Sequence, residues 1–358
     1  MSKKQIPMFI GNRAMTVVDA MEKIDKNARG ILFIVNEGGV LLGSITDGDI
    51  RRWLIKTGDL NGSVLEAMHT DPKYVFEEEV FKADKIMKSE LISVLPVLKK
   101  DKSVADILFS TDSMECNAPE TDKSLSGIPV VIMAGGMGTR LYPYTKILPK
   151  PLIPIGEIPI VERVLNCFVK YGIKEYYMTV NYKKSMIKSY FEEVNPEYNI
   201  RYVEEDEPLG TGGSIKLIKT RFEKPLFVVN CDALVFADYF DIYQYHIKVG
   251  NDITIVSSLK NITIPYGVLH SKEDGQLTKI EEKPKLSYFI NTGMYVINPS
   301  VIDKIPGNTV FHMTDLVDSV MRDRGKVGMY PISEDSFLDM GEFGEMHRME
   351  EKLNIVSD

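Results

Sequence analysis

Cysteine is scarce in this chain, with three in 358 residues. Cys116, Cys167 and Cys231 show no Cys-x-x-Cys spacing, so a reducing compartment suits them better than a disulfide framework. The five histidines occur singly, which argues against a zinc site. No apolar run approaches the ~18 residues of a membrane span. The opening Met1-Ser-Lys-Lys-Gln-Ile-Pro7 lacks the apolar core of a signal peptide, so the expected location is the cytoplasm, with no membrane partner. Positive charge is in deficit: Lys and Arg number 43 against 51 Asp and Glu, a formal net charge of −8. A general nucleic-acid binder would be basic, so nucleic acid is not an expected partner, although a small basic patch for nucleotide phosphates remains compatible. What remains is an ordinary soluble composition, 44% hydrophobic and 26% charged. The length suffices for two or three domains at the usual ~150 residues each.

The stretch from Ile128 to Pro154 carries the most chemistry. Val130 to Met133 is an apolar run short enough for a buried parallel strand. Ala134, Gly135, Gly136 and Gly138 follow at once, and such a turn lets phosphate oxygens approach backbone N–H groups closely. Thr139 and Arg140 add a hydroxyl and a guanidinium fork, and Lys150 is held between Pro149 and Pro151 on a stiff segment. A glycine-rich turn alone could also be a hairpin or a plain strand–helix connection. With the two placed cations it predicts a triphosphate cradle. It is neither a Walker A loop nor the dinucleotide fingerprint.

The run Ala134-Gly-Gly-Met-Gly-Thr-Arg-Leu141, then Pro143, Thr145 and Pro149-Lys-Pro-Leu-Ile-Pro-Ile-Gly156, resembles the signature of the sugar-1-phosphate nucleotidyltransferases. The resemblance extends from about Ile128 to the C-terminus.

The preceding third has its own pattern. Thr16 reads as an N-cap before a helical stripe of Val17, Val18, Ala20, Met21 and Ile24. Ile31 to Val35 reads as a strand, Gly38-Gly39 as a turn, Val40 to Ile45 as a second strand, and Thr46-Asp-Gly-Asp49 as the start of a helix bearing Ile50, Trp53 and Leu54. A similar order recurs in a helical stripe of Val80, Ala83, Ile86 and Met87, a strand from Ile92 to Leu98, a charged turn and a strand from Val104 to Phe109. This is a repeat of about sixty residues, as in two units sharing one core. It resembles a tandem pair of CBS modules, which bind adenine or guanine nucleotides. The first unit has Gly43, Thr46 and Asp49 at that family's spacing; the resemblance puts Thr46 on a phosphate and Asp49 on ribose hydroxyls. Plain helix capping is the alternative for both residues. No Gly-x-x-Thr-x-x-Asp follows Val104 in the second unit.

The expected organisation is a tandem CBS pair over 1–109 (about 1–64 and 65–109), a polar linker over 110–127 and a nucleotidyltransferase domain over 128–358. Within the last, Ile160, Val164, Leu165 and Phe168 predict a helix, Tyr176 to Val180 a strand and Lys184 to Phe191 another helix. This alternation predicts an α/β fold with a doubly wound, Rossmann-like, mostly parallel sheet, preceded by the α+β CBS pair. Glu205 precedes Pro208-Leu-Gly-Thr-Gly-Gly-Ser214, where Gly210, Gly212 and Gly213 let the backbone lie flat against a planar base and Thr211 adds a hydroxyl. The alternative is a plain loop before a helix from Ser214 to Thr220. The resemblance makes Glu205, Gly210, Thr211 and Gly213 nucleotide-binding.

Leu226 to Asn230 is an apolar run leading to Asp232, and carboxyl ends of strands point into the ligand crevice of such sheets. Asp232 and Asp339 could clamp one hard cation, and the family uses an aspartate at each place to hold Mg²⁺. Asp238 and Asp241 read as caps of the following helix. Tyr266-Gly-Val268, Glu281-Glu-Lys-Pro284 and Asn291-Thr-Gly-Met-Tyr295 resemble the acceptor pocket. By that resemblance Gly267 lets the sugar ring pack on the backbone, Glu282 accepts from its hydroxyls, Lys283 holds its phosphate, Asn291 supplies a bidentate amide, and Gly293 belongs to the same sugar-phosphate site. A closing helix is expected from Met346 to Ile355 with Met349, Leu353 and Ile355 partly buried.

The resemblance implies in-line attack of a sugar 1-phosphate on the α-phosphorus of a nucleoside triphosphate, with Arg140, Lys150 and Asp232 catalytic. The fusion to a CBS pair narrows the resemblance to enzymes making GDP-activated glucosamine for legionaminic acid in flagellin glycosylation. That implies GTP and glucosamine 1-phosphate as substrates, a regulatory nucleotide at the CBS pair and a homo-oligomer. Glucose or mannose 1-phosphate with UTP, dTTP or GTP is the alternative. A non-catalytic nucleotide sensor is the reading from another class.

Overall fold

The computed structural model describes residues 6–27, 29–83, 86–87, 94–109, 123–341 and 343–352. The chain divides into two compact units, Met1–Asn117 with Ser333–Asp335, and Ala118–Ile332 with Ser336–Asp358.

The first unit holds two three-stranded sheets of the same design. In one, β1 (Ile10–Asn12) lies parallel to β2 (Ile31–Val35), which is antiparallel to β3 (Leu41–Thr46). In the other, β4 (Val75–Phe76) lies parallel to β5 (Val94–Leu98), which is antiparallel to β6 (Val104–Phe109). Each hairpin has its register shift at the equivalent place, where Val35 faces Leu41 and Leu98 faces Val104. The two turns exchange reciprocal hydrogen bonds: Leu41 N donates to Lys102 O and Val104 N to Gly39 O, both at 3.0 Å. Phe9, Phe33, Val94 and Ile107 form a core drawn from both sheets, so the repeated pattern does build one shared unit.

The helix Val17–Asn27 starts at Thr16 as expected, with Asp19 N donating to Thr16 Oγ1. The helix Asp47–Thr57 buries Ile50 and Leu54. The second repeat departs from the expected helical stripe at Val80. Glu77–Lys82 is a 3₁₀ segment and Val80 is exposed, while Ala83 and Met87 are buried. None of the residues Glu77–Lys82 is buried, so the buried positions of the stripe begin only at Ala83, after the 3₁₀ segment. Ile92, and all of the proposed linker before Lys123, lie outside the described residues.

The second unit is built on a seven-stranded sheet. Its left half is parallel: β11 (Asn199–Glu204), β10 (Glu175–Val180), β7 (Val130–Ala134) and β12 (Leu226–Asn230). The small antiparallel pair β8 (Pro154–Ile155) and β9 (Ile158–Pro159) lies between β7 and β10 in the chain. Then β17 (Lys285–Ile297) runs antiparallel between β12 and β14 (Ile253–Thr263), and β18 (Val327–Ile332) closes the edge parallel to β14. Every residue of β7 is buried, as a strand covered on both faces requires. Val130, Ile132 and Ala134 join the core under the helix Ile160–Val169, while Val131 and Met133 join the core under the helix Met313–Arg322. The expected doubly wound, mostly parallel sheet is present.

Strand order reverses at β7, whose chain successors lie on one side and β12 on the other. The carboxyl ends of β7 and β12 therefore open a crevice at the switch point, where ligands bind in such sheets. Among the described residues no helix is long and apolar enough to cross a membrane.

Candidate active site

A cleft of about 410 Å³ opens at these strand ends. Its lining includes Gly135, Gly136, Gly138, Thr139, Arg140 and Lys150 from the loop after β7, Glu205, Gly210 and Thr211 from the loop after β11, and Asp232 after β12. Segments distant in sequence that were read separately as nucleotide-binding thus share one cavity. Ala134 and Gly213 are buried behind it.

The loop geometry explains the residue types. A Cβ at Gly135 would lie 2.4 Å from Glu205 Oε1, so only glycine lets the turn pass the carboxylate. Thr145, fully buried, donates its hydroxyl to Gly138 O at 2.9 Å and so braces the turn from below. Glu205 is itself buried and accepts from Leu209 N at 3.0 Å, fixing the entry to the second glycine loop. Burial pushes its carboxyl up from the usual range, against the hydrogen bond from Leu209.

That second loop does not lead into a helix from Ser214 to Thr220. Gly210–Gly213 is a single helical turn and Ser214–Leu217 a 3₁₀ segment. The amides of Gly212 and Gly213 both donate to Phe311 O at 2.9 Å, and Met313 N donates to Thr211 Oγ1 at 3.1 Å. These ties to a distant segment hold the loop against His312, which lines the cleft and which sequence reasoning did not single out. His312 is the N-cap of the helix Met313–Arg322, its N donating to Asp315 Oδ2 at 2.7 Å, a capping role that carries no sign of the cleft.

The charged centre lies between two carboxylates. Lys150, nearly buried, donates to Asp232, an ion pair with side chains 11% and 13% exposed. Asp232 is followed by β13 (Ala233–Val235), which pairs antiparallel with β19 (Phe337–Asp339) so that Ala233 faces Asp339. Met340 N donates to Asp232 O at 2.9 Å, locking the two segments together. Asp339 is pushed up to about 6 by burial and by the charge of Asp232, against the cations Lys150 and Arg140. Two carboxylate-bearing segments so joined, one carboxyl raised partly by the other's charge, present hard oxygen donors suited to a divalent cation such as Mg²⁺. No cluster of three or more His, Cys, Asp or Glu able to hold a metal occurs among the described residues. Mg²⁺ commonly takes only one or two carboxylates and keeps positions for water and phosphate, so the pair fits it. Cys231, beside Asp232, is buried, and burial raises its thiol pKa far enough to keep it neutral.

The residues read as an acceptor pocket are outside the cleft lining. Gly267 and Glu282 face each other on a hairpin formed by β15 (Gly267–Ser271) and β16 (Leu277–Glu282), and Lys283 has a left-handed φ of 46°. On β17, Asn291 donates to Tyr295 Oη at 2.6 Å and accepts from Gly293 N at 2.9 Å. The link to the cleft runs through Gly293. Asn230, which lines the cleft, lies against it, with Nδ2 at 2.3 Å from where a Cβ would be. Asn230 is the second residue the sequence reading left out, although its run Val229-Asn-Cys-Asp232 was in view.

In the first unit, Thr46 and Asp49 form a capping box at the helix Asp47–Thr57. Thr46 N donates to Asp49 Oδ2 at 3.0 Å, Asp49 N donates to Thr46 Oγ1 at 3.3 Å, and Arg52 pairs with the remaining carboxylate oxygen. Asp238 caps the helix Tyr239–Val249 by accepting from Phe240 N and Asp241 N, whereas Asp241 accepts from Tyr330 Oη at 2.6 Å. The closing helix is Phe343–Lys352 with Met349 buried; Leu353 and Ile355 lie outside the described residues.

The nucleotidyl transferase family profile matches residues 129–354, and a CBS domain profile matches residues 11–56. The chain belongs to the nucleotidyl transferase family and carries an N-terminal CBS domain. It is 35% identical over 184 residues to the mannose-1-phosphate guanyltransferase of Debaryomyces hansenii, covering 49% of this chain and 51% of that protein. It is 30% identical over 221 residues to the mannose-1-phosphate guanyltransferase of Emericella nidulans, covering 59% and 60%. The chain thus spans about half the length of the first of these curated relatives. The crystal structure of HddC from Yersinia pseudotuberculosis matches 63% of this chain and 99% of its own, with 26% identity and a TM-score of 0.50.

Proposed function

We propose that the second unit transfers a nucleotidyl group from a nucleoside triphosphate, GTP in first place, to a sugar 1-phosphate, giving a nucleotide-diphosphate sugar and pyrophosphate. The observation that carries this reading is the convergence of the glycine turn, Arg140, Lys150 and the Asp232–Asp339 neighbourhood at one switch-point cleft. An oxygen of the acceptor phosphate bonds to the α-phosphorus, the bond to the β-bridging oxygen breaks, and pyrophosphate leaves with that electron pair. The attacking group is already an anion, so no protein base is needed. The protein's work is positioning and charge stabilisation.

In this reading the amides of Gly135, Gly136 and Gly138 with Thr139 cradle the phosphates, and Arg140 holds the leaving β,γ-portion. Lys150 leans from Asp232 toward the α-phosphate. The loop Gly210–Gly213, held by Glu205 and Thr211, takes the base. Lys283 brings in the acceptor phosphate, while Glu282, Asn291, Gly267 and Gly293 take the sugar. Asp232 and Asp339 would hold Mg²⁺, which when bound supplies neutralising charge at the phosphates.

Two acceptors are supported. The CBS fusion favours glucosamine 1-phosphate, on the way to an activated sugar for legionaminic acid and flagellin glycosylation. The names of the relatives, mannose-1-phosphate guanyltransferases, favour mannose 1-phosphate equally. Equimolar glucosamine 1-phosphate and mannose 1-phosphate with GTP and Mg²⁺, the products resolved by mass, decide between them. An excess of GDP-glucosamine supports the first, an excess of GDP-mannose the second, and neither product sinks guanylyl transfer to both. We further assign residues 1–109 to a tandem CBS pair, 110–127 to a linker and 128–358 to the transferase, with a regulatory nucleotide near Thr46 and Asp49.

A further inference from the structure

The hairpin of β15 and β16 is a two-stranded sheet whose outer edges pair with nothing among the described strands. Its two faces differ sharply. On one, Leu269 and Ile280 are register partners, 61% and 64% exposed. On the other, Lys279 pairs with Glu281 at 2.6 Å, and His270 approaches the same carboxylate at 3.6 Å. Ile262, Tyr266, Leu286 and Tyr288, close by in the chain, are exposed as well. Leu269 and Ile280 thus form an exposed apolar row next to strand edges whose backbone groups are open to a further strand.

We propose that the occupant is a second copy of this chain. In this arrangement β16 pairs antiparallel with β16 of the second copy about a two-fold axis through Ile280. The charge order on the strand supports that choice. With Ile280 opposite itself, Lys279 stands opposite Glu281 of the second copy, and Glu281 opposite its Lys279. Centring the axis on Lys279 or Glu281 instead sets like charges against each other. Charged residues on an edge strand usually prevent such pairing; here their alternation makes the edge self-complementary, as an isologous contact demands. The row Leu269–Ile280 becomes four apolar side chains abreast, each about 5 Å from the next. The free backbone groups of both edges gain partners at the same time.

The test uses the full-length protein at micromolar concentration. Ile280→Glu sets a carboxylate against its own copy on the axis. Multi-angle light scattering should give half the wild-type mass for this variant, with an unchanged far-ultraviolet circular dichroism spectrum. Ile280→Cys gives a second, independent readout. Mild oxidation should link it to its own copy as a reducible dimer, which neither the wild type nor Leu269→Cys forms, because residue 269 is a strand removed from the axis. A monomeric wild type, an Ile280→Glu variant that is folded and keeps the wild-type mass, or an Ile280→Cys variant that does not cross-link would each overturn the proposal.

Discussion

Lys150 donates to Asp232 across eighty-two positions of chain, and the two side chains are almost withdrawn from solvent. Removing one partner of such a pair strands the other charge, typically at 3–5 kcal/mol. Lys150→Met should therefore lower stability by about that much. Lys150→Met with Asp232→Asn should recover part of the loss, and urea unfolding of the four proteins in the cycle reads the coupling. Additive losses would show that the pair is not coupled.

Asp232→Ala should lower turnover by roughly a hundredfold or more and, although stranding Lys150 lowers stability, leave the sheet folded. The aspartate stands after β12, where its backbone carbonyl still accepts from Met340 N whatever its side chain. Pyrophosphate release and circular dichroism on one preparation check both halves. Activity near wild type would remove Asp232 from the site.

Asp339 sets the pH response. Its folded-state pKa is about 6, above the ordinary value of 3.8. The folded protein thus holds a proton that the unfolded chain has already lost. Stability should fall as pH rises from about 4 to about 6 and stay lower above it, opposite in sign to a salt-bridged carboxylate. Asp339→Asn should flatten that change and raise the metal-free melting temperature at pH 8, while eliminating turnover. At about 1.4 kcal/mol per pKa unit the gain is of the order of a few kcal/mol. A variant no more stable than wild type at pH 8 would contradict the burial argument.

Gly135→Ala tests how closely the turn approaches Glu205. The new Cβ would meet the carboxylate that receives Leu209 N, so both glycine loops shift together. The expected result is at least a tenfold weaker nucleotide affinity, about 1.4 kcal/mol, measured by titration calorimetry. Unchanged affinity would separate this turn from nucleotide binding.

Asp49→Ala should cost the first unit about 1 kcal/mol, because it removes half of a capping box. If a regulatory nucleotide binds there, titration of wild type with ATP, AMP and GTP gives heat that the variant lacks. Equal heats in both proteins would leave Asp49 as a cap alone.

The fold is most legible in the sequence where one local signal fixes one local structure. A buried run before glycines made β7 and its turn visible, and an apolar run before Asp232 made the end of β12 visible. It is least legible where distant partners decide. The helix from Ser214 to Thr220 in the plain-loop alternative is a short 3₁₀ piece, Ser214–Leu217, and the glycine loop before it is tied through Gly212 N and Gly213 N to Phe311, a partner distant in sequence. His312 reaches the cleft only through tertiary placement, whereas Asn230 ends the same apolar run that makes the end of β12 visible. Nor does spacing reveal that the second cation, Lys150, is neutralised by the proposed metal ligand Asp232.

Everything proposed for the cleft rests on nucleotidyl transfer. Its most direct test is pyrophosphate release with Mg²⁺ across GTP, UTP, dTTP, CTP and ATP against glucosamine, N-acetylglucosamine, glucose and mannose 1-phosphates, with Asp232→Ala as control. Strong release is expected with GTP and one of glucosamine or mannose 1-phosphate, absent from the variant. A matrix blank in every cell, with nucleotide still bound, would contradict it and leave a nucleotide sensor in its place.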